Sequence, residues 1–470
     1  MKKLFKKFTA VLAFVLALIV SFAFGGCASA DKGYADGDAL APGSGSSGGY
    51  DYAPGAPELG DGAGDSADSG GHGAEGGLEG GLTGEAGATS PDGSTSSGDT
   101  GSSGNQQKPI VKQLTAAEWR DAYNYDFWLG LFESDIPFKG QDGKEITKNG
   151  IFSEYKKATR GLESFDMHEV YVTSGESPVV GASVNLYSES NKIYSAVTDS
   201  TGTAYVFGSG DRIEAVSGEY SASAEIAEGV TQISLDSYSA YDDEIEIMFV
   251  VDTTGSMGDE LSFLCDELSG IVTRVSSSLS CKIRLGLIFY RDKGDAYVTR
   301  SFDFVDVTSS SGLNTVVKNI NAQFSSGGGD YPEAVDTALK EAVEAKWHDD
   351  SKTKLIFHVL DAPYHDEQEN QSVFANAVRG AAEKGIRIIP VAASGLDTLG
   401  QYIMRSAALL TGGTYTFLTD DSGIGLSHEL PAVGAFTVEY LSDLMVRLIK
   451  GYYNGEFEQP VLWSQSESVV

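Results

Sequence analysis

Residues 244–258 read EIEIMFVVDTTGSMG, and this stretch decides the fold. The run from Glu244 to Asp252 is apolar enough for a strand covered on both faces, as in parallel sheets. Residues 253–258 form a polar turn. Beyond it Met257, Leu261, Leu264, Cys265, Leu268, Ile271, Val272 and Val275 recur in steps of three and four. That stripe predicts an amphipathic helix. The unit then repeats. CKIRLGLIFYRD (281–292), YVTRSFDFVD (297–306), LIFHVLD (355–361) and IRIIPVAA (386–393) predict strands. Helices are expected near 313–324, 332–345, 370–384, 398–410 and 438–450. The alternation predicts an α/β domain over residues 244–450, a doubly wound, mostly parallel sheet with helices on both faces.

Ligands of such sheets gather beyond the carboxyl ends of the strands. Three polar patches fall there. Asp252-Thr-Thr254-Gly-Ser256 follows the first strand. Ser326-Gly327-Gly328-Gly329-Asp330-Tyr-Pro-Glu333 precedes a helix. Asp361-Ala-Pro363-Tyr-His365 follows a later strand. All three supply oxygen, which suits a hard cation such as Mg²⁺. A capped turn would explain the first patch alone, but not all three.

These motifs resemble the von Willebrand factor A domain and its metal-ion-dependent adhesion site. The family pattern is Asp-x-Ser/Thr-x-Ser, a Thr on a second loop and an Asp on a third. Asp252, Thr254 and Ser256 match the first part, and Asp361 the last. The second-loop Thr is missing. Gly-Gly-Gly-Asp-x-Pro-Glu stands in its place, paired with Asp-Ala-Pro-x-His, as in the hemicentin-like and alpha-kinase-linked subgroup. The resemblance implies metal ligands at Asp252, Thr254, Ser256 and Asp361, with Asp330 as the second-loop ligand. Mg²⁺ is the implied ion, with Mn²⁺ or Ca²⁺ as alternatives. Gly327, Gly328, Gly329, Pro363 and His365 would shape and brace the loops. One coordination position would stay open for a carboxylate of a protein partner.

The chain ahead of this domain divides by texture. Residues 1–27 carry four early lysines, an apolar run from Phe8 to Phe24, and then Gly25, Gly26 and Cys27. This is the order of a signal peptide. The junction resembles a bacterial lipobox, with Phe24 where Leu is usual, and implies a lipid on Cys27. Residues 28–107 are dominated by Gly, Ser, Ala, Asp and Glu, too poor in apolar surface to fold. A Gly-rich coil of this length spans roughly 50 Å and would act as a tether. In residues 108–167, LTAAEWRDAYNYDFW (114–128) reads as an aromatic helix. Residues 168–240 alternate in period two, as at Val180, Ala182, Val184 and Leu186. Their Pro-Val-Val-Gly-Ala-x-Val and Thr-Asp-x-x-Gly-x-Ala motifs resemble carboxypeptidase-regulatory-like and collagen-adhesin B-type sandwiches, which implies a spacer. Some relatives carry a Lys–Asn isopeptide bond; none is assigned here. Residues 451–470 read as a tail.

Composition removes several functions. There are 67 acidic residues against 33 basic, for a net charge of -34. Such a surface repels nucleic-acid phosphates and anionic headgroups, so membrane attachment must be apolar or covalent. Three cysteines, Cys27, Cys265 and Cys281, are too few for a disulfide scaffold. A Cys265–Cys281 bond is chemically allowed outside the cytosol, and two buried thiols are the plainer alternative. His358 reads as a core residue. No P-loop, zinc-helix motif or Ser-His-Asp arrangement occurs, so no enzyme is expected. The expectation is a cell-surface lipoprotein, membrane-anchored through Cys27 and facing outward. Its A domain would bind a protein ligand for adhesion or envelope assembly. The alternatives are a structural or sensory protein whose metal only stabilises the fold, or a subunit recruiting an envelope enzyme.

Overall fold

The computed structural model describes residues 113–133, 136–139, 145–148, 150–424 and 431–464. The proposed signal peptide, Cys27 and the tether lie outside the described residues. An eight-stranded sheet forms the centre. Its order is Thr299–Asp306, Lys282–Tyr290, Asp242–Asp252, Ser351–Leu360, Ile386–Ala392, Tyr415–Thr419, Thr115–Trp119, Glu439–Tyr440. The five strands from Lys282–Tyr290 to Tyr415–Thr419 in that order run parallel, and Thr299–Asp306 and Thr115–Trp119 pair antiparallel with their neighbours. Helices Leu261–Ser278, Ser310–Asn321 and Leu441–Asn454 cover one face; Val335–Glu344, Gln368–Glu383 and Thr398–Thr411 cover the other. The expected α/β class and mostly parallel sheet are those observed.

The segment 114–128 corrects the sequence reading. Thr115–Trp119 is a strand between Tyr415–Thr419 and Glu439–Tyr440, and only Tyr125–Gly130 is helical. Its Ala-rich sequence favours a helix in isolation, but ladder partners some 300 residues away decide otherwise. Asp121 then meets Arg405 in a buried pair, 2.6 Å at the closest. Phe132, Phe152 and Tyr155 pack around Tyr402, with Tyr155 and Tyr402 stacked at 4.3 Å and Trp128 set against Phe152. Asp121, Phe132, Phe152 and Tyr155 are thereby bound to the helix Thr398–Thr411.

Two small sheets follow. One has the order Tyr220–Glu225, Arg212–Ser217, Ser183–Ser188, Asn191–Val197; the other is built on Met167–Ser174. Val170, Val172, Val184, Leu186, Ile213 and Ile233 fill the space between them. This sandwich is not a spacer held apart. The Tyr194 hydroxyl donates to Leu410 O at 2.6 Å, Arg387 to Val197 O at 2.7 Å, and Ser200 to Tyr452 O at 2.7 Å. The last helix runs to Asn454, into the expected tail. Cys265 and Cys281 are buried free thiols. Among the described residues no helix is long and apolar enough to cross a membrane.

Candidate metal centre

The strand Asp242–Asp252 ends on a buried carboxylate. Thr254 donates to Asp252 Oδ1 twice, from its amide at 2.8 Å and its hydroxyl at 2.7 Å. Its hydroxyl lies 3.1 Å from the Ser256 hydroxyl. Asp252 Oδ2 is buried without a hydrogen bond. The Tyr290 hydroxyl, also buried without a hydrogen-bond partner, is close enough to Asp252 to lower its carboxyl somewhat. Burial, and then the neighbouring Asp361, push the Asp252 carboxyl up to about 7. Asp361 is itself buried at the end of Ser351–Leu360.

The glycine loop closes over this end. Ser326 N–H donates to Thr253 O at 3.0 Å, and Gly255 N–H donates to Gly327 O at 3.1 Å. Gly328 has φ +71°, and a Cβ there would meet Glu333 Oε1 at 2.8 Å and the Thr254 Cβ at 3.2 Å. Only glycine lets the loop approach Thr254 this closely. Gly327 and Gly329 are exposed on the same turn, and Gly328 N–H donates to Asp295 Oδ2 at 2.9 Å. Pro363 is buried, and its carbonyl accepts from Glu333 N–H at 2.9 Å. His365 Nε2 meets Asp292 Oδ1 at 2.7 Å, joining the loops that follow two different strands.

The two acids of the second loop are placed differently. Asp330 sits exposed on the turn. Glu333, three residues on, is 2% exposed, with a carboxylate oxygen that has no hydrogen bond. Burial first, then Asp252, Asp292, Asp361 and Asp295, push its carboxyl up to about 9. The structure therefore gathers Asp252, Thr254, Ser256, Asp361 and Glu333, with Asp330 at the rim. Asp330 and Glu333 offer the same chemistry in sequence. The separating signal is position: Glu333 lies just before Val335–Glu344 and bridges to Tyr364. Buried, mutually repelling oxygens beside two hydroxyls fit an oxygen-preferring divalent cation.

A second acidic group lies at the opposite end of the same strand. Glu244, Glu246 and His348 bring ligand-type atoms within 4.8 Å of one another. Their oxygens are already engaged. Lys282 pairs with Glu244 at 2.5 Å, Arg284 pairs with Glu246, and Ser351 donates to both at 3.0 Å. Burial raises Glu244, but Lys282, Ser351 and His348 outweigh it and hold the carboxyl below its usual range.

A family model described as von Willebrand factor A domain matches residues 246–398. The chain is 30% identical over 134 residues to an ariadne-like RING finger protein of Acanthamoeba polyphaga mimivirus, covering 28% of this chain and 12% of that protein. Solved structures similar to this chain include two with low TM-scores. BatB, a conserved hypothetical protein of Bacteroides thetaiotaomicron, aligns at 13% identity over 44% of this chain and 98% of its own, with a TM-score of 0.28. The open pilus adhesin SpaC of Lactobacillus rhamnosus GG aligns at 11% identity over 58% of this chain and 34% of its own, with a TM-score of 0.32. Residues 246–398 of this chain thus carry a match to a von Willebrand factor A domain.

Proposed function

We propose that the A domain is a divalent-cation-dependent protein-binding module, serving adhesion or envelope assembly. The carrying observation is the pair of buried carboxylate oxygens, on Asp252 and Glu333, that lack hydrogen bonds beside Thr254 and Ser256. Such oxygens cost stability unless a proton or cation joins them. Asp252, Thr254, Ser256, Asp361 and Glu333 would hold the ion, with Glu333 in the place expected of Asp330. Mg²⁺ suits this donor set best, and Mn²⁺ and Ca²⁺ share its preference for oxygen. The bound ion would supply the positive charge that a partner carboxylate seeks. Phe324 and Tyr331, 64% and 44% exposed, flank the loop and support a protein ligand. The Gly-Gly-Gly-Asp-x-Pro-Glu and Asp-Ala-Pro-x-His pair supports the subgroup assignment.

The same proposal places the chain on the outer face of the cell membrane, held by a lipid on Cys27. It rests on residues 1–27 alone, and Cys27→Ala is expected to leave the membrane fraction or accumulate as precursor. Normal fractionation and migration of that variant would contradict it. We read the protein as a binding module and not an enzyme. The binding test is a pull-down from envelope extract with wild type and Asp252→Ala, each with and without chelator. A partner should be retained only by wild type with metal. If metal raises the melting temperature but the partner survives both chelator and Asp252→Ala, the ion only stabilises the fold.

A further inference from the structure

A half-open cleft of about 400 Å³ lies where the sandwich meets the starting ends of Ser351–Leu360 and Ile386–Ala392. It is thus at the end of the sheet away from Asp252. Its volume falls within the ~300–1,000 Å³ usual for small-molecule sites. The chain has twice as many acids as bases, yet Lys352, Lys354, Lys384 and Arg387 all line this cleft. Among the described residues none of the four rests on a carboxylate. Lys354 donates to Asp349 O and Lys384 O, Lys384 to Val343 O, and Arg387 to Val197 O. Lys352 lies over the Tyr453 ring at 4.1 Å and the Tyr241 ring at 5.8 Å.

The acids of the lining are differently placed. Asp199 Oδ1 accepts from Thr201 and Thr203 of its own turn, and Glu383 pairs with Lys192 at 3.0 Å. Asp349 and Asp350 are exposed. Lys354 and Arg387 are only 6% and 7% exposed, so the deeply set charge is positive. A guanidinium with one carbonyl partner keeps most of its five donors, in a fork that matches a carboxylate. The lining also holds hydroxyls. Those of Ser183, Ser239 and Tyr241 make no hydrogen bond among the described residues, and the buried Thr353 hydroxyl has no partner. A bare inorganic anion would leave these hydroxyls and most of the volume unused.

We propose that this cleft binds a sugar acid, a carboxylate-bearing hydroxyl-rich ring. Arg387 takes the carboxylate with its fork, Lys352 adds positive charge at the partly exposed rim, the hydroxyls of Ser183, Ser239 and Tyr241 take ring hydroxyls, and Tyr241 offers an aromatic face. Because both the sandwich and the A domain contribute walls, the ligand also ties the two together. The ligand is either a free sugar acid or a uronate unit within a polysaccharide.

The test is calorimetric titration of the full chain in chelator with glucuronate, digalacturonate and glucose. Saturable binding of at least one acid, and none of glucose, is expected. Binding of digalacturonate alone assigns the polymer source; binding of glucuronate alone or of both assigns the free-acid source. Lys352→Glu, at a partly exposed position, should weaken binding at least tenfold with its melting temperature little changed. Arg387→Lys, which keeps the charge but loses the fork, should weaken it severalfold. Asp252→Ala should bind as wild type does, which separates this site from the metal centre. No binding of either acid, equal binding of glucose, or binding unchanged in both Lys352→Glu and Arg387→Lys would overturn the proposal.

Discussion

The strand Asp242–Asp252 carries buried carboxylates at both of its ends, and the two ends treat them oppositely. At the start, Glu244 and Glu246 meet Lys282, Arg284, His348 and Ser351. At the finish, Asp252 and Glu333 keep buried oxygens without hydrogen bonds and face Asp361. The same residue types serve as fixed structure where cations of the chain answer them, and are proposed as a cation receptor where none among the described residues does. Burial alone does not separate the two roles; the balance of partners does.

Cutting one partner at each end should expose the contrast most strongly. Arg284→Ala leaves Glu246 buried beside an absent cation and should cost about 3–5 kcal/mol of unfolding free energy. Asp252→Asn in chelator removes repulsion and should be neutral or stabilising. Urea denaturation of the two variants measures both. An equal loss in each would mean that the two ends do not differ.

Metal comes next in size. At a thousandfold excess over its dissociation constant, Mg²⁺ should stabilise the domain by about 4 kcal/mol. Asp252→Ala should abolish that gain and Glu244→Gln should keep it, as read from thermal melts. The pH response sharpens the same point. Asp252 and Glu333 titrate near 7 and 9 in the folded state, against about 4 when unfolded. Between these values the folded state binds more protons, so metal-free stability should fall as pH rises from about 4 towards 7 and then 9. Protons and metal compete for the same oxygens, so the gain from Mg²⁺ should grow across that window. A metal effect independent of pH would place the ion elsewhere.

A smaller contrast lies within the second loop. Glu333→Gln should weaken Mg²⁺ binding by on the order of tenfold or more. Asp330→Ala, at an exposed position, should change it by less than about twofold, within the scatter of surface substitutions. The reverse ranking would restore Asp330 as the ligand.

Much of this was legible in the sequence, because strands covered on both faces announce themselves. EIEIMFVVD and IRIIPVAA need no partner to be recognised, and they fix where Asp252 must emerge. Thr115–Trp119 was not legible, because TAAEW becomes a strand only through Tyr415–Thr419 and Glu439–Tyr440. Asp330 and Glu333 were indistinguishable because backbone direction separates them, set by Gly327 and Gly328 at positive φ and by the Glu333–Tyr364 bridge. The docking of the sandwich depended on single contacts such as Tyr194 to Leu410 O, which no periodicity encodes.

Calorimetric titration of Mg²⁺ into the chelator-stripped full chain tests the metal centre most directly, with Asp252→Ala, Glu333→Gln, Asp330→Ala and Glu244→Gln run beside wild type. One saturable site is predicted in wild type, retained in Asp330→Ala and Glu244→Gln, weakened in Glu333→Gln and absent in Asp252→Ala. A site that survives Asp252→Ala, or that disappears with Glu244→Gln, would contradict the assignment of the ion to the carboxyl end of the sheet.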